Sequence, residues 1–173
     1  MIILGIDPGT ATTGYGIIKI QNKKSKIQKH RSKNKNNNLE LIDYGCVITK
    51  PDSSASKRLL ILNKELKKII KKYKPDMMAV EDLFFFKNLK TAIKVAQARG
   101  VILLTGKQAK LQIFEYTPLQ IKQAIVSYGR ADKRQVQEMV KILLKLKEIP
   151  KPDDAADGLA AAICCGHSVG NGY

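Results

Sequence analysis

The sequence predicts an α/β fold on a mixed sheet of about five strands: a three-strand antiparallel meander, then two parallel strands, flanked by helices. Three observations carry this. Short apolar runs punctuated by Gly and Pro open the chain at hairpin spacing. From about residue 56 onward, helical apolar spacing alternates with short apolar runs, the pattern that gives parallel pairing. The 173 residues are 44% hydrophobic and 27% charged, enough for one self-sufficient core, so residues 1–173 are read as one domain.

Residues 2–6 form an apolar run closed by Asp7-Pro8-Gly9, a strand and a sharp turn. Residues 14–20 return as a second strand. Residues 21–38 are rich in Lys, Arg, Asn and Ser and contain no acid, so they read as a basic low-complexity loop interrupting the sheet. Residues 39–49 complete the meander. In residues 56–74, Leu59, Leu62, Leu66, Ile69, Ile70 and Tyr73 recur at helical spacing opposite a lysine-rich face, and Pro75 ends the helix.

Residues 77–81 are a short apolar strand ending at Glu81. Residues 89–104 read as a helix with apolar residues on more than one face, hence central or shared with a partner subunit. Residues 112–117 give the last strand, closed by Pro118. Three further helices are expected at 119–128, 133–147 and 154–167.

Lys plus Arg number 31 against 15 Asp plus Glu, a net charge of +16. An excess of this size points to a polyanionic partner. Three cysteines with no Cys-x-x-Cys pair argue against a zinc ribbon or dithiol redox site. The opening residues lack a basic n-region, and no run approaches a membrane span, so a cytoplasmic protein without a membrane partner is expected. There is no P-loop and no Gly-x-Ser-x-Gly elbow. His30 and His167 have no partner at metal-ligand spacing and read as solvated.

Acids are scarce, so their placement is informative. Asp7 and Glu81 end strands, where α/β sheets build their sites. Asp154 and Asp157 are three apart at a helix start, on one face. Each also has a plain structural reading: a turn residue, an exposed strand end, or a first-turn carboxylate facing the helix dipole. Together they could converge on one cleft, where like charges repel unless a cation intervenes. An all-oxygen set selects Mg²⁺, with Mn²⁺ able to substitute. Within a basic shell this suggests phosphodiester hydrolysis with two ions per subunit. Phe84-Phe85-Phe86-Lys87 follows Glu81, and an exposed phenylalanine there could stack on a base. Lys122, Arg130, Lys133 and Arg134 flank the Gly129 turn as candidate phosphate contacts.

Ile3-Leu4-Gly5-Ile6-Asp7-Pro8-Gly9 with Thr13-Gly14-Tyr15-Gly16 resembles the opening of the RuvC family of Holliday junction resolvases. Glu81 with Phe84, Lys87 and Asn88 is similar to that family's second motif, as are Ala96-Gln97-Ala98-Arg99-Gly100 and Glu115-Tyr116. Gln120-Ile121-Lys122-Gln123, Lys133 with Gln135-Val136-Gln137, and Asp154-Ala155-Ala156-Asp157 resemble later segments. The resemblance implies an RNase H-like fold, a homodimer, and Mg²⁺-dependent paired nicking of four-way junction DNA beside a branch-migration motor. It implies Asp7, Glu81, Asp154 and Asp157 as catalytic metal ligands, Phe84 as a base-stacking residue, and Lys122 and Lys133 as DNA contacts. Asp153 competes with Asp154, and the Asp-Ala-Ala-Asp spacing favours Asp154. The loop at 21–38 is longer than the family pattern. Another RNase H-like structure-specific nuclease, or a non-catalytic junction-binding protein, is the alternative.

Overall fold

The computed structural model describes residues 1–21, 39–82 and 89–170. Most of the basic loop expected at 21–38, and the Phe84-Phe85-Phe86-Lys87 run, lie outside the described residues.

The elements are β1 (Ile2–Asp7), β2 (Thr12–Ile20), β3 (Leu39–Ile48), α1 (Ala55–Tyr73), β4 (Met77–Glu81), α2 (Leu89–Gln108), β5 (Gln112–Tyr116), α3 (Pro118–Val126), α4 (Lys133–Leu143) and α5 (Asp153–Gly170). The sheet order is β3-β2-β1-β4-β5. β1–β2 and β2–β3 are antiparallel, whereas β1–β4 and β4–β5 are parallel, as the alternation in the sequence predicts.

Two boundaries and one side chain differ from expectation. α2 runs on to Gln108, because its last turns stay packed: Gly106 lies against Met78 and Ile113 of the sheet, and Thr105 accepts a hydrogen bond from Asn63 of α1. α4 stops at Leu143, before the predicted Lys147, and the Leu144 N–H bonds back to Val140. His167, expected in solvent, is half-buried: its Nδ1 lies 3.1 Å from the Ala124 carbonyl, and its Nε2 is buried. Among the described residues no helix is long and apolar enough to cross a membrane.

Strand alternation divides the core into two layers. Ile3 of β1, Ile18 of β2, and Met77 and Ala79 of β4 face α3, α4 and α5. Leu4, Ile6, Ile17, Met78 and Val80 face α1 and α2. By the same parity Asp7 and Glu81 belong to the α5 side. Their strands are parallel and adjacent, with Ile6 beside Val80, so both acids emerge together at one edge of the sheet.

Candidate active site

Helix α5 comes down on that edge because β1 and β2 present glycine to it there, at Gly5, Gly14 and Gly16. Gly14 pairs with Asp7 across β1 and β2. A Cβ at Gly14 would collide with the Asp154 carbonyl, and one at Gly5 with the Gly158 carbonyl. From the helix side, a Cβ at Gly158 would lie 2.8 Å from the Tyr15 backbone. Glycine on both surfaces lets backbone approach backbone. The first turn of α5, carrying Asp154 and Asp157, is thereby lowered onto the strand ends carrying Asp7 and Glu81.

Asp7 and Glu81 stand at adjacent strand ends, within electrostatic range of each other. Burial is the largest cause pushing Asp7 up to about 8, followed by the charges of Glu81 and Asp157, with a smaller push from Asp154. Burial and the charge of Asp157 push Glu81 up to about 7, against the opposing pull of Lys133 and Lys122. Asp157 is also raised, by burial first, although Lys133 works against it.

Lys133 Nζ lies 3.0 Å from Asp157 Oδ2 and 3.5 Å from Asp153 Oδ2. Partial burial would loosen the Lys133 proton, but its hydrogen bond to Asp157 and the charges of Asp157 and Asp153 override this, and its pKa rises. Asp132 caps α4 immediately before Lys133 through a capping box with Gln135, which fixes where the lysine starts. Lys122 on α3 completes a cleft of about 240 Å³ with Glu81, Lys133 and Asp157, floored by Ile121 and Val136.

Of the four predicted carboxylates, Glu81 and Asp157 line this cleft with both predicted lysines, while Asp7 is within electrostatic range of Glu81, Asp157 and Asp154. Asp153 is largely exposed and faces Lys133, whereas Asp154 is within electrostatic range of Asp7. Arg134 lines a separate groove between α3 and α4 with Tyr128 and Ile142, away from the carboxylates, and Arg130 is exposed. Phe84 lies outside the described residues. Among the described residues no three His, Cys, Asp or Glu side chains are close enough to hold an ion as they stand.

Two neighbours escaped the sequence reading. Cys46 on β3 pairs with Gly14, and its sulfur is within reach of the Ala155 N–H. Burial, then the charge of Asp154, pushes its thiol up to about 11, so it stays protonated and is no nucleophile at neutral pH. Only the β2–β3 register, shifted by an irregularity at Ile17/Ile18, brings it here, and no local signal records that. Arg99 on α2 bonds Asp82 at 2.9 Å and also Glu115, bracing the ends of β4 and β5 directly behind Glu81. Its motif was visible, but its partners were not.

A family model described as "Crossover junction endodeoxyribonuclease RuvC" matches residues 3–165. A protein of that name from Halothermothrix orenii is 55% identical over 168 residues, 97% of this chain and 93% of that protein. One from Fusobacterium nucleatum is 53% identical, covering 99% of this chain and 83% of that protein. Among solved structures, Thermus thermophilus RuvC superposes with a TM-score of 0.84 at 30% identity, covering 99% of this chain and 97% of that one. The same organism's RuvC in complex with Holliday junction substrate gives 0.82 at 28% identity, covering 98% and 96%. A yeast mitochondrial Holliday junction resolvase shares the fold alone, at 0.62 and 14% identity, covering 95% of this chain and 78% of that one.

Proposed function

The chain belongs to the RuvC family of crossover junction endodeoxyribonucleases, and on that premise we propose that it resolves Holliday junctions from an RNase H-like fold by hydrolysing paired phosphodiesters in opposed strands. The observation that carries the proposal is the placement of Asp7 and Glu81 at the ends of two adjacent parallel strands, with Asp154 and Asp157 lowered over them and Lys122 and Lys133 on their flank. Residues 1–173 are taken as one nuclease domain.

The donor set fits a hard divalent cation. It is all carboxylate oxygen, and burial first, then neighbouring negative charge, raises the pKa values of Asp7 and Glu81. Asp7, Glu81, Asp154 and Asp157 would hold Mg²⁺, with Mn²⁺ as substitute and two ions per subunit. Such ions, when bound, activate a water and stabilise the leaving oxygen of a phosphodiester.

The chain's own residues supply the rest. The β1 and β4 backbones fix Asp7 and Glu81. The glycine-lined seat of α5 fixes Asp154 and Asp157. Lys133 holds Asp157 until a phosphate competes for its ammonium. Lys122 adds a second positive charge beside Glu81. Phe84 is assigned base stacking by its place in the family motif alone.

Two symmetric nicks on a two-fold junction call for two symmetric sites. On α2, Ile93 and Leu104 are exposed, and the space before Gly100 is open. At spacings of seven and four these three fall on one arc, which we assign to a homodimer contact. A branch-migration motor as partner follows from the resemblance.

The test uses an immobile four-way junction with separately labelled strands, and linear duplex as control. Paired nicks in opposed strands on the junction only, requiring Mg²⁺, are expected. Asp7→Asn should lower the nicking rate by at least about 10³-fold while keeping junction binding. Binding without nicks in either metal would make this a junction-binding protein. Equal cutting of duplex and junction would make it a general nuclease.

A further inference from the structure

The edge of the sheet that carries the carboxylates has a second basic cavity, on the opposite face. It measures about 140 Å³ and is lined by Thr10, Ser53, Arg58, Leu62, Lys94 and Gln97. None of its described lining residues is acidic.

Arg58 is held in place by a chain of hydrogen bonds. Its Nε donates to Thr49 Oγ1 at 2.8 Å, and the Thr49 hydroxyl donates to the Thr10 carbonyl at 2.6 Å. The Thr49 N–H donates to Ala11 at 2.9 Å. The guanidinium is thus tied along one edge to the turn that follows Asp7. Among the described residues its two terminal nitrogens have no acceptor. Lys94, one helix over, is exposed and has no carboxylate partner among the described residues. A guanidinium fixed on one edge and open on the other is suited to bidentate phosphate recognition, and Lys94 adds a point charge.

Topology gives the cavity its place. β1 and β4 end at this edge, and α1, α2 and α5 begin there. The Lys122–Lys133 cleft lies on the α5 side, and the Arg58–Lys94 cavity on the α1–α2 side. Glu81 lines the first of these, and the turn that follows Asp7 leads to the second at Thr10.

We propose that the Arg58–Lys94 cavity is a second phosphate seat, gripping a phosphodiester of the cut strand displaced from the scissile one, so that the strand crosses the sheet edge held on both flanks of the carboxylates. This rests on the nuclease reading above.

The experiment measures junction affinity against salt in metal-free buffer for the full chain, Lys94→Gln and Arg58→Gln. Each variant should bind on the order of tenfold more weakly, with a log–log salt slope lower by about 0.9, the loss of one phosphate contact. Since Arg58 also braces the Thr10 turn, Lys94→Gln is the decisive variant. It should raise KM for junction cutting and leave kcat near that of the parent.

Methylphosphonate replacement along the cut strand, one position at a time, then locates the contact. One position away from the scissile phosphate should weaken the parent and leave Lys94→Gln unaffected. An unchanged salt slope in Lys94→Gln, the absence of any such position, or a loss of affinity accompanied by a changed oligomeric state would each overturn the second seat. Metal-dependent paired nicking by the parent in the same preparations would leave the nuclease reading standing.

Discussion

Where α5 crosses β1 and β2 near their functional ends, contact is made at glycine; on the α1–α2 face it is made by leucine, isoleucine and methionine. Gly5, Gly14 and Gly16 of the sheet lie against Asp154, Ala155, Gly158, Leu159 and Ala162 of α5. The other face buries Leu62, Leu66, Ile102, Met78 and Val80. Bulky side chains adapt to small shifts by changing rotamer, whereas two backbones in contact cannot. The rigid face is the one that sets the position of two candidate metal ligands. The adaptable face is amphipathic on its outside and carries the exposed α2 arc and the Arg58–Lys94 cavity.

Substitutions can break this contrast. Gly14→Ala is expected to have the largest effect. Its Cβ meets the Asp154 backbone, which has no rotamer with which to yield, so α5 must lift. We expect a stability loss of about 1–3 kcal/mol and a fall in nicking of about 10²-fold even where the protein stays folded. Denaturant melts paired with junction assays read both.

Ile102→Ala, fully buried beneath α2, should cost about 2–5 kcal/mol. Below its melting range it should nick like the parent, because it packs in the apolar layer on the face of the sheet away from α5. A nicking defect at full foldedness would merge the two faces into one mechanical unit. Gly100→Ala is the smallest change, since its Cβ enters open space. The isolated subunit should gain up to about 1 kcal/mol from helix propensity, while self-association, read by sedimentation, weakens as the added methyl spreads the α2 contact. Unchanged association would move the dimer contact off this arc.

How much of this was legible in the sequence follows the range of the forces involved. Strand parity, helix periodicity and the switch to parallel pairing are local, so the sheet and nearly every helix could be read. Asp7 and Glu81 were readable because strand ends are where such sheets build sites. The glycines were visible as motif letters, but their purpose, lowering α5 onto the sheet, depends on residues about 140 positions apart. Cys46 and the Arg99–Asp82–Glu115 brace depend on register and on packing between distant elements. The helical pattern continues through Lys145 and Leu146 and predicts a longer α4, but the left-handed backbone at Lys145 ends it.

We propose that Asp7, Glu81, Asp154 and Asp157 act as one divalent-ion site. Asp7, at about 8, and Glu81, at about 7, hold their protons more tightly folded than unfolded. In metal-free protein their stabilising contribution is complete below the ordinary carboxylate range near 4 and is lost as the pH rises through about 8. A cation that replaces those protons should restore it. The most direct measurement is therefore the melting temperature with and without Mn²⁺, from about pH 5 to about pH 9, for the parent and Asp7→Asn. The account predicts a metal-induced rise that grows with pH in the parent. In Asp7→Asn the metal effect should nearly vanish, and the metal-free melting temperature at high pH should exceed the parent's by a few degrees. An equal Mn²⁺ shift in both proteins, or one that shrinks as the pH rises, would contradict it.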